Sequence, residues 1–152
     1  MEQIKQRIDN YFLSKKHATL FKPCKDTLES KAMQGGCFCG NIRYEIGDGE
    51  YLVANCHCTM CRKTSAAPFV TWVVVPTESF RYIQGSAKLL QSSDKGRRYF
   101  CEECGTPLVF LAEERPTVID ITTGSLDDPE RYIPTKDVHE ESRLKWLHLN
   151  ND

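Results

Sequence analysis

Seven of the eight cysteines in this 152-residue chain fall into three tight clusters, "CFC" at Cys37 and Cys39, "CHCTMC" at Cys56, Cys58 and Cys61, and "CEEC" at Cys101 and Cys104. Only Cys24, in "KPCKD", stands apart. Thiols at Cys-x-Cys or Cys-x-x-Cys spacing make poor internal disulfides. They make good chelators, because a tight turn aims both sulfurs at one point. A chain built this way has to gather its clusters around an ion, and that requirement constrains its fold more than any other feature. An even cysteine count also suits a disulfide framework. Against that stands the N-terminal "MEQIKQRIDNYFLSKKH", which mixes charge throughout and lacks the apolar core of a secretory signal peptide. The expected setting is therefore the reducing cytoplasm, with the thiols free.

Zinc is the expected metal, since thiolates are soft ligands and short paired spacings match zinc knuckles. An iron–sulfur cluster is the runner-up, but the characteristic ferredoxin spacings are absent. "CFCG" offers Cys37 and Cys39, and "CEECG" offers Cys101 and Cys104. Each is followed by a glycine, Gly40 or Gly105, which lets backbone amides turn toward the sulfurs. Two pairs make one closed four-cysteine site, expected to supply folding free energy. Cys56, Cys58 and Cys61 remain as a set of three. Catalytic zinc sites keep three protein ligands and one open position, so two zinc ions per chain are expected, one closed and one open. Alternatives are that Cys24 closes the second site, or that His57 joins it. His57 lies between two cysteines that both face the metal, so its ring is expected to turn away.

Three thiolates on a divalent ion leave a net negative charge that nearby cations would offset, and Arg62 and Lys63 adjoin the cluster. Electron-rich thiolates weaken zinc as a Lewis acid, and suit it to holding a thiolate better than to generating hydroxide. Thr64 and Ser65 are candidates to hydrogen-bond a cysteine sulfur or to cap a short helix. Phe69, Trp72 and Phe80 are expected to pack in the core, with an aromatic wall beside the open metal as the alternative.

Residues 2–13 read as a surface helix, with Ile4, Ile8, Tyr11 and Phe12 on one stripe. Residues up to about 35 read as linker. The expected division is 1–34 as N-terminal helix and linker, and 35–152 as the zinc-binding domain. From Cys37 on the pattern is mainly β. "NIRYEI" alternates, "APFVTWVVVP" is β-branched and aromatic, and "FRYI", "AKLLQSS", "RRYF", "PLVFLA" and "TVIDITTG" follow as short strands of small antiparallel sheets. "SLDDPERY" is turn-like, with Ser125 or Asp127 as caps for one helical turn. "SRLKWLHL" is expected as a last strand.

Formal net charge is −1, and no extended basic tail is present. Neither nucleic acid nor an anionic membrane is favoured. No run reaches the roughly 18 apolar residues of a transmembrane helix.

Three ordered stretches, "GGCFCGNIRYEI", "NCHCTMCRKTSAAPF" and "SSDKGRRYFCEECGTPL", resemble the glutathione-dependent formaldehyde-activating enzyme family, which includes centromere protein V. The resemblance runs from about Gly35 to Leu147. It implies a β-tent fold with two zinc sites. The family's structural zinc would fall on Cys37, Cys39, Cys101 and Cys104, and its catalytic zinc on Cys56, Cys58 and Cys61. It also implies a small thiol such as glutathione as partner, and a carbon–sulfur lyase-type reaction, the joining of glutathione and formaldehyde to S-hydroxymethylglutathione. Two positions depart from the family's pattern. Ala66 stands where glycine is usual, and Asp137 where many members carry histidine, the nearest histidine here being His139. No motif marks residues that contact glutathione. The second reading is a non-catalytic zinc module that recruits a protein partner, and the third is metal handling or redox sensing by the thiolate cluster.

Overall fold

The computed structural model describes residues 32–149. The expected helix over 2–13 and Cys24 lie outside them. The described chain is mainly β. Its strands are β1 (Met33–Gly36), β2 (Arg43–Ile46), β3 (Leu52–Cys56), β4 (Val70–Pro76), β5 (Phe80–Gln84), β6 (Lys88–Ser93), β7 (Gly96–Phe100), β8 (Pro107–Ala112), β9 (Val118–Thr122) and β10 (Lys136–Val138). One short helix, α1 (Thr59–Ser65), follows β3.

The strands form a three-stranded sheet, β1-β2-β5, and a seven-stranded sheet, β10-β3-β4-β9-β8-β7-β6. Every pairing is antiparallel except β10 on β3, which is parallel. The core joins the two sheets. Alternation in β2 sends Tyr44 and Ile46 inward, where both are fully buried. Val73 and Val75 of β4, Leu108 of β8 and Ile121 of β9 meet them there. Each such aliphatic side chain contributes about 1.5–3 kcal/mol on burial. Tyr44 keeps its hydroxyl satisfied inside, 2.7 Å from Ser125 Oγ.

Several local expectations change. Residues 33–35, read as linker, are strand, because β1 pairs with β2 in the register Met33↔Ile46 to Gly36↔Arg43. Gly35 permits this, since a Cβ there would lie 2.4 Å from Tyr44 Oη. "SLDDPERY" does contain a helical turn, Pro129–Arg131, but no side chain caps it. Ser125 instead donates to Thr122 O at 2.8 Å, and Asp127 accepts from Arg43 Nη1 at 2.9 Å. "SRLKWLHL" is not a strand. The edge of β3 is already taken by β10, which leaves that segment no strand to pair with beside the site. It turns on itself, with Leu147 N donating to Leu144 O at 3.0 Å, and Trp146 is 66% exposed.

Candidate functional site

The two cysteine knuckles of the first cluster are hairpin turns. "CFCGN" joins β1 to β2 and closes with Cys37 N donating to Ile42 O at 3.0 Å. "CEECGT" joins β7 to β8 and closes with Cys101 N donating to Thr106 O at 3.0 Å. Gly40 and Gly105 take φ of 79° and 77°, the left-handed conformation that completes each turn without a Cβ clash. One hairpin belongs to each sheet, so the cluster ties the sheets together. Backbone Phe38 N–H donates to Thr106 Oγ1 across the junction at 3.1 Å.

The four sulfurs of Cys37, Cys39, Cys101 and Cys104 lie within 4.8 Å of one another, with Cys37–Cys39 at 3.5 Å and Cys39–Cys101 at 3.7 Å. Four thiolates on a tetrahedron of about 2.3 Å radius stand about 3.8 Å apart, so this donor set fits zinc. Hydrogen bonds favour anionic sulfur at Cys37 and Cys104, while burial and neighbouring thiols push Cys39 up to about 12 and Cys101 up. Ile42 N–H reaches Cys37 Sγ at 3.2 Å, and the Thr106 hydroxyl and backbone hold the Cys104 thiol down to about 5.

The second cluster is built differently. Cys56 ends β3, Cys58 is the N-cap of α1, and Cys61 lies in its first turn. The Cys58 sulfur accepts from Cys61 N at 3.3 Å, so a thiolate does the work that serine or aspartate usually does at a helix start. The three sulfurs lie within 4.8 Å of one another, and among the described residues no fourth Cys, His, Asp or Glu joins them. Crowding splits their acidities. Hydrogen bonds from Cys56 and Cys61 hold the Cys58 thiol down to about 2, with a smaller through-space contribution from His139, while the same contacts push Cys56 up. This set also fits a soft divalent ion.

His57 turns away from the sulfurs, as expected of the middle residue in an extended Cys-His-Cys. Its ring is fully buried, stacks near Phe69 at 5.5 Å, and places Nε2 2.6 Å from Asp137 Oδ1. Its backbone N–H donates to Val138 O at 3.0 Å. Asp137, at the position where the family often has histidine, thus anchors the knuckle to β10.

The cation beside the sulfurs is not one of those expected. Arg62 and Lys63 lie in the last turn of α1, and Lys63 is exposed. Arg98 of β7 takes the place, with Nη2 3.7 Å from Cys61 Sγ and 8% exposure. Its guanidinium lies 4.4 Å from the Phe110 ring centroid and 5.8 Å from that of Trp72. Alternation in "GRRYF" puts either Arg97 or Arg98 inward, but nothing in the sequence marks the aromatic shelf that receives it.

The aromatic residues divide. Trp72 packs with Cys56 and Cys61, Phe69 rests on His57, and Phe80 belongs to the main core beside Tyr44 and Tyr82. Thr64 and Ser65 bond no sulfur. They donate to the carbonyls of Met60 and Cys61 at 2.8 and 2.7 Å.

A cavity of about 250 Å³ lies beside Arg98, lined also by Thr64, Ser65, Trp72, Tyr99 and Val109. A wider groove of about 700 Å³ adjoins it through Ser65, Val70, Pro107 and Thr122, and continues past Phe69 to Tyr132 and Ile133. No helix among the described residues is long and apolar enough to cross a membrane.

An uncharacterized lyase of Schizosaccharomyces pombe is 31% identical over 77 residues, covering 51% of this chain and 56% of that protein. The chain therefore spans little more than half the length of that relative. A crystal structure of a Rhodobacter sphaeroides protein superposes with a TM-score of 0.56 at 20% identity, covering 70% of this chain and all of the other, and so shares the fold. The model of the glutathione-dependent formaldehyde-activating enzyme family matches residues 32–142, and the chain belongs to that family.

Proposed function

We propose that this protein is a zinc-dependent carbon–sulfur lyase-like enzyme acting on a small thiol–aldehyde adduct such as S-hydroxymethylglutathione. In this reading Cys37, Cys39, Cys101 and Cys104 hold a structural zinc, and Cys56, Cys58 and Cys61 hold an open one. The observation that carries it is the set of three converging sulfurs, without a fourth donor among the described residues, against a buried arginine that also lines a cavity. A zinc ion on those sulfurs would supply a vacant coordination position and a Lewis-acid charge.

The remaining work falls to the chain. Trp72 and Phe110 shield the sulfurs from bulk water, which strengthens every charge interaction there. The adjoining groove, about 700 Å³, lies within the usual range for small-ligand sites and suits a tripeptide-sized thiol. In the synthetic direction the sulfur electron pair forms the C–S bond, the carbonyl π pair moves to oxygen, and that oxygen takes the proton the thiol gave up. The lyase direction is the reverse.

Cobalt in place of zinc tests the reading. Glutathione added to the two-cobalt protein should change the visible absorption of one site, and the protein should speed exchange between formaldehyde and its glutathione adduct followed by NMR. A protein-recruiting zinc module predicts an unchanged spectrum and the uncatalysed exchange rate.

A further inference from the structure

Arg98 is the only buried lysine or arginine among the described residues. A guanidinium placed in low dielectric is costly unless an opposite charge compensates it. The buried carboxylate of Asp120 interacts with it through space but does not hydrogen-bond to it, its oxygens accepting instead from both terminal nitrogens of Arg115, at 3.3 and 2.6 Å. Arg98 Nε is buried without a hydrogen-bond partner, and the one bond recorded for the side chain runs from Nη2 to Cys61 Sγ. Phe110 and Trp72 hold the guanidinium there through their ring faces. Its one direct polar contact is thus with the sulfurs, where it meets negative charge.

How much negative charge depends on the fourth ligand. Three thiolates on a divalent ion carry −1. A neutral ligand leaves −1, which Arg98 balances, while an anionic ligand makes −2 in a dry site and would be rejected without a nearby cation. We propose that Arg98 is the specificity-determining residue of the open position, biasing it toward anionic thiolates over neutral ligands. The inference rests on the open-site reading above. It adds that the choice of ligand is made by a residue of β7 some forty positions from the knuckle, rather than by the metal and its thiolates alone.

The test uses the two-cobalt protein and two probes of the open position. These are 2-mercaptoethanol, which binds as a thiolate and has no carboxylate of its own, and imidazole, which binds neutral. Visible absorption gives both dissociation constants for the wild type, Arg98→Met and Arg98→Lys. Two cobalt ions per chain and a cooperative melt establish that each variant is folded. Arg98→Gln, which keeps a donor near Cys61, is the charge-free variant if the methionine one does not fold. Removing the charge should weaken 2-mercaptoethanol binding about tenfold or more while imidazole changes less than about twofold, and lysine should restore most of the difference. Equal losses for both probes, or no loss for either, overturn the inference while leaving the open site standing. A wild-type spectrum that neither probe changes overturns the open-site reading, and the inference with it.

Discussion

The two cysteine clusters use the same chemistry on different scaffolds. The four-cysteine cluster sits on two hairpin turns, one from each sheet, and each turn ends on a glycine in the left-handed region. No helix among the described residues supplies its cysteines, and its Gly105 and Thr106 line the cavity and the groove. The three-cysteine cluster sits where a strand runs into a helix, against Trp72, Phe110 and Arg98, and Arg98 and Trp72 in turn line the cavity. Its own tight turn, at the end of α1, puts Ala66 in the left-handed conformation with φ 51°. The first cluster is placed to join parts of the fold. The second is placed on one sheet, where losing its metal need not separate anything. On the reading proposed above, position in the fold, more than ligand type, would distinguish a staple from a working site.

The largest effect that can break this contrast comes from serine substitutions. Cys101 is 1% exposed and belongs to the main core. A structural zinc contributes an apparent ~10–16 kcal/mol, comparable with or above the whole net stability of a domain, about 5–15 kcal/mol. Cys101→Ser should therefore abolish the cooperative melt seen by circular dichroism. Cys58→Ser should keep the melt and lose one metal by elemental analysis. If both variants unfold, the second cluster is a staple too.

A chelator gives the next largest difference. If each cluster holds one zinc ion, as proposed above, the two should leave in separate phases, the first with little change in melting temperature and the second with loss of the fold. Simultaneous release would erase the distinction between the clusters.

Asp137→Ala probes the anchor that belongs to the second cluster alone. It leaves the fully buried His57 ring without its 2.6 Å partner, with Nδ1 already unpartnered. A cost of about 1–3 kcal/mol follows. Competition with a metal indicator should show weaker binding at the three-cysteine set and unchanged binding at the other. Equal weakening at both would mean that the aspartate supports the fold generally.

The smallest effect concerns the turns. Ala66→Gly should relieve about 1 kcal/mol of left-handed strain, raising the melting temperature by about 3 °C. Gly105→Ala should cost about as much. Opposite signs at these two positions would show that the second knuckle tolerates strain the first avoids.

Much of this was legible in the residues. The Cys-x-Cys and Cys-x-x-Cys spacings, each with its glycine, sorted the cysteines into four and three, and the sulfurs do converge in those groups. The strands at Arg43–Ile46, Val70–Pro76 and Pro107–Ala112 follow from alternation and β-branching. Less legible was "SRLKWLHL", whose alternation fits a strand but which pairs with none, the edge of β3 being held by β10. Lys136–Val138, with no strand signal of its own, does pair because the edge of β3 is open to it. Local pattern specifies what a segment can do, and the available hydrogen-bonding edges decide what it does.

By itself the sequence determined how the cysteines group, because the convergence of sulfurs on a tight turn is a short-range property of spacing. It also determined that His57 would face away, since neighbours in an extended chain point to opposite sides. Only the tertiary structure decided which charge meets the sulfurs. Arg62 and Lys63 are adjacent in sequence, yet Arg98 arrives across the sheet on the shelf made by Phe110 and Trp72. It likewise decided that Asp137 would hold His57. Electrostatic partners act through space over a few ångströms, and those distances are set by how strands pack rather than by how residues follow one another.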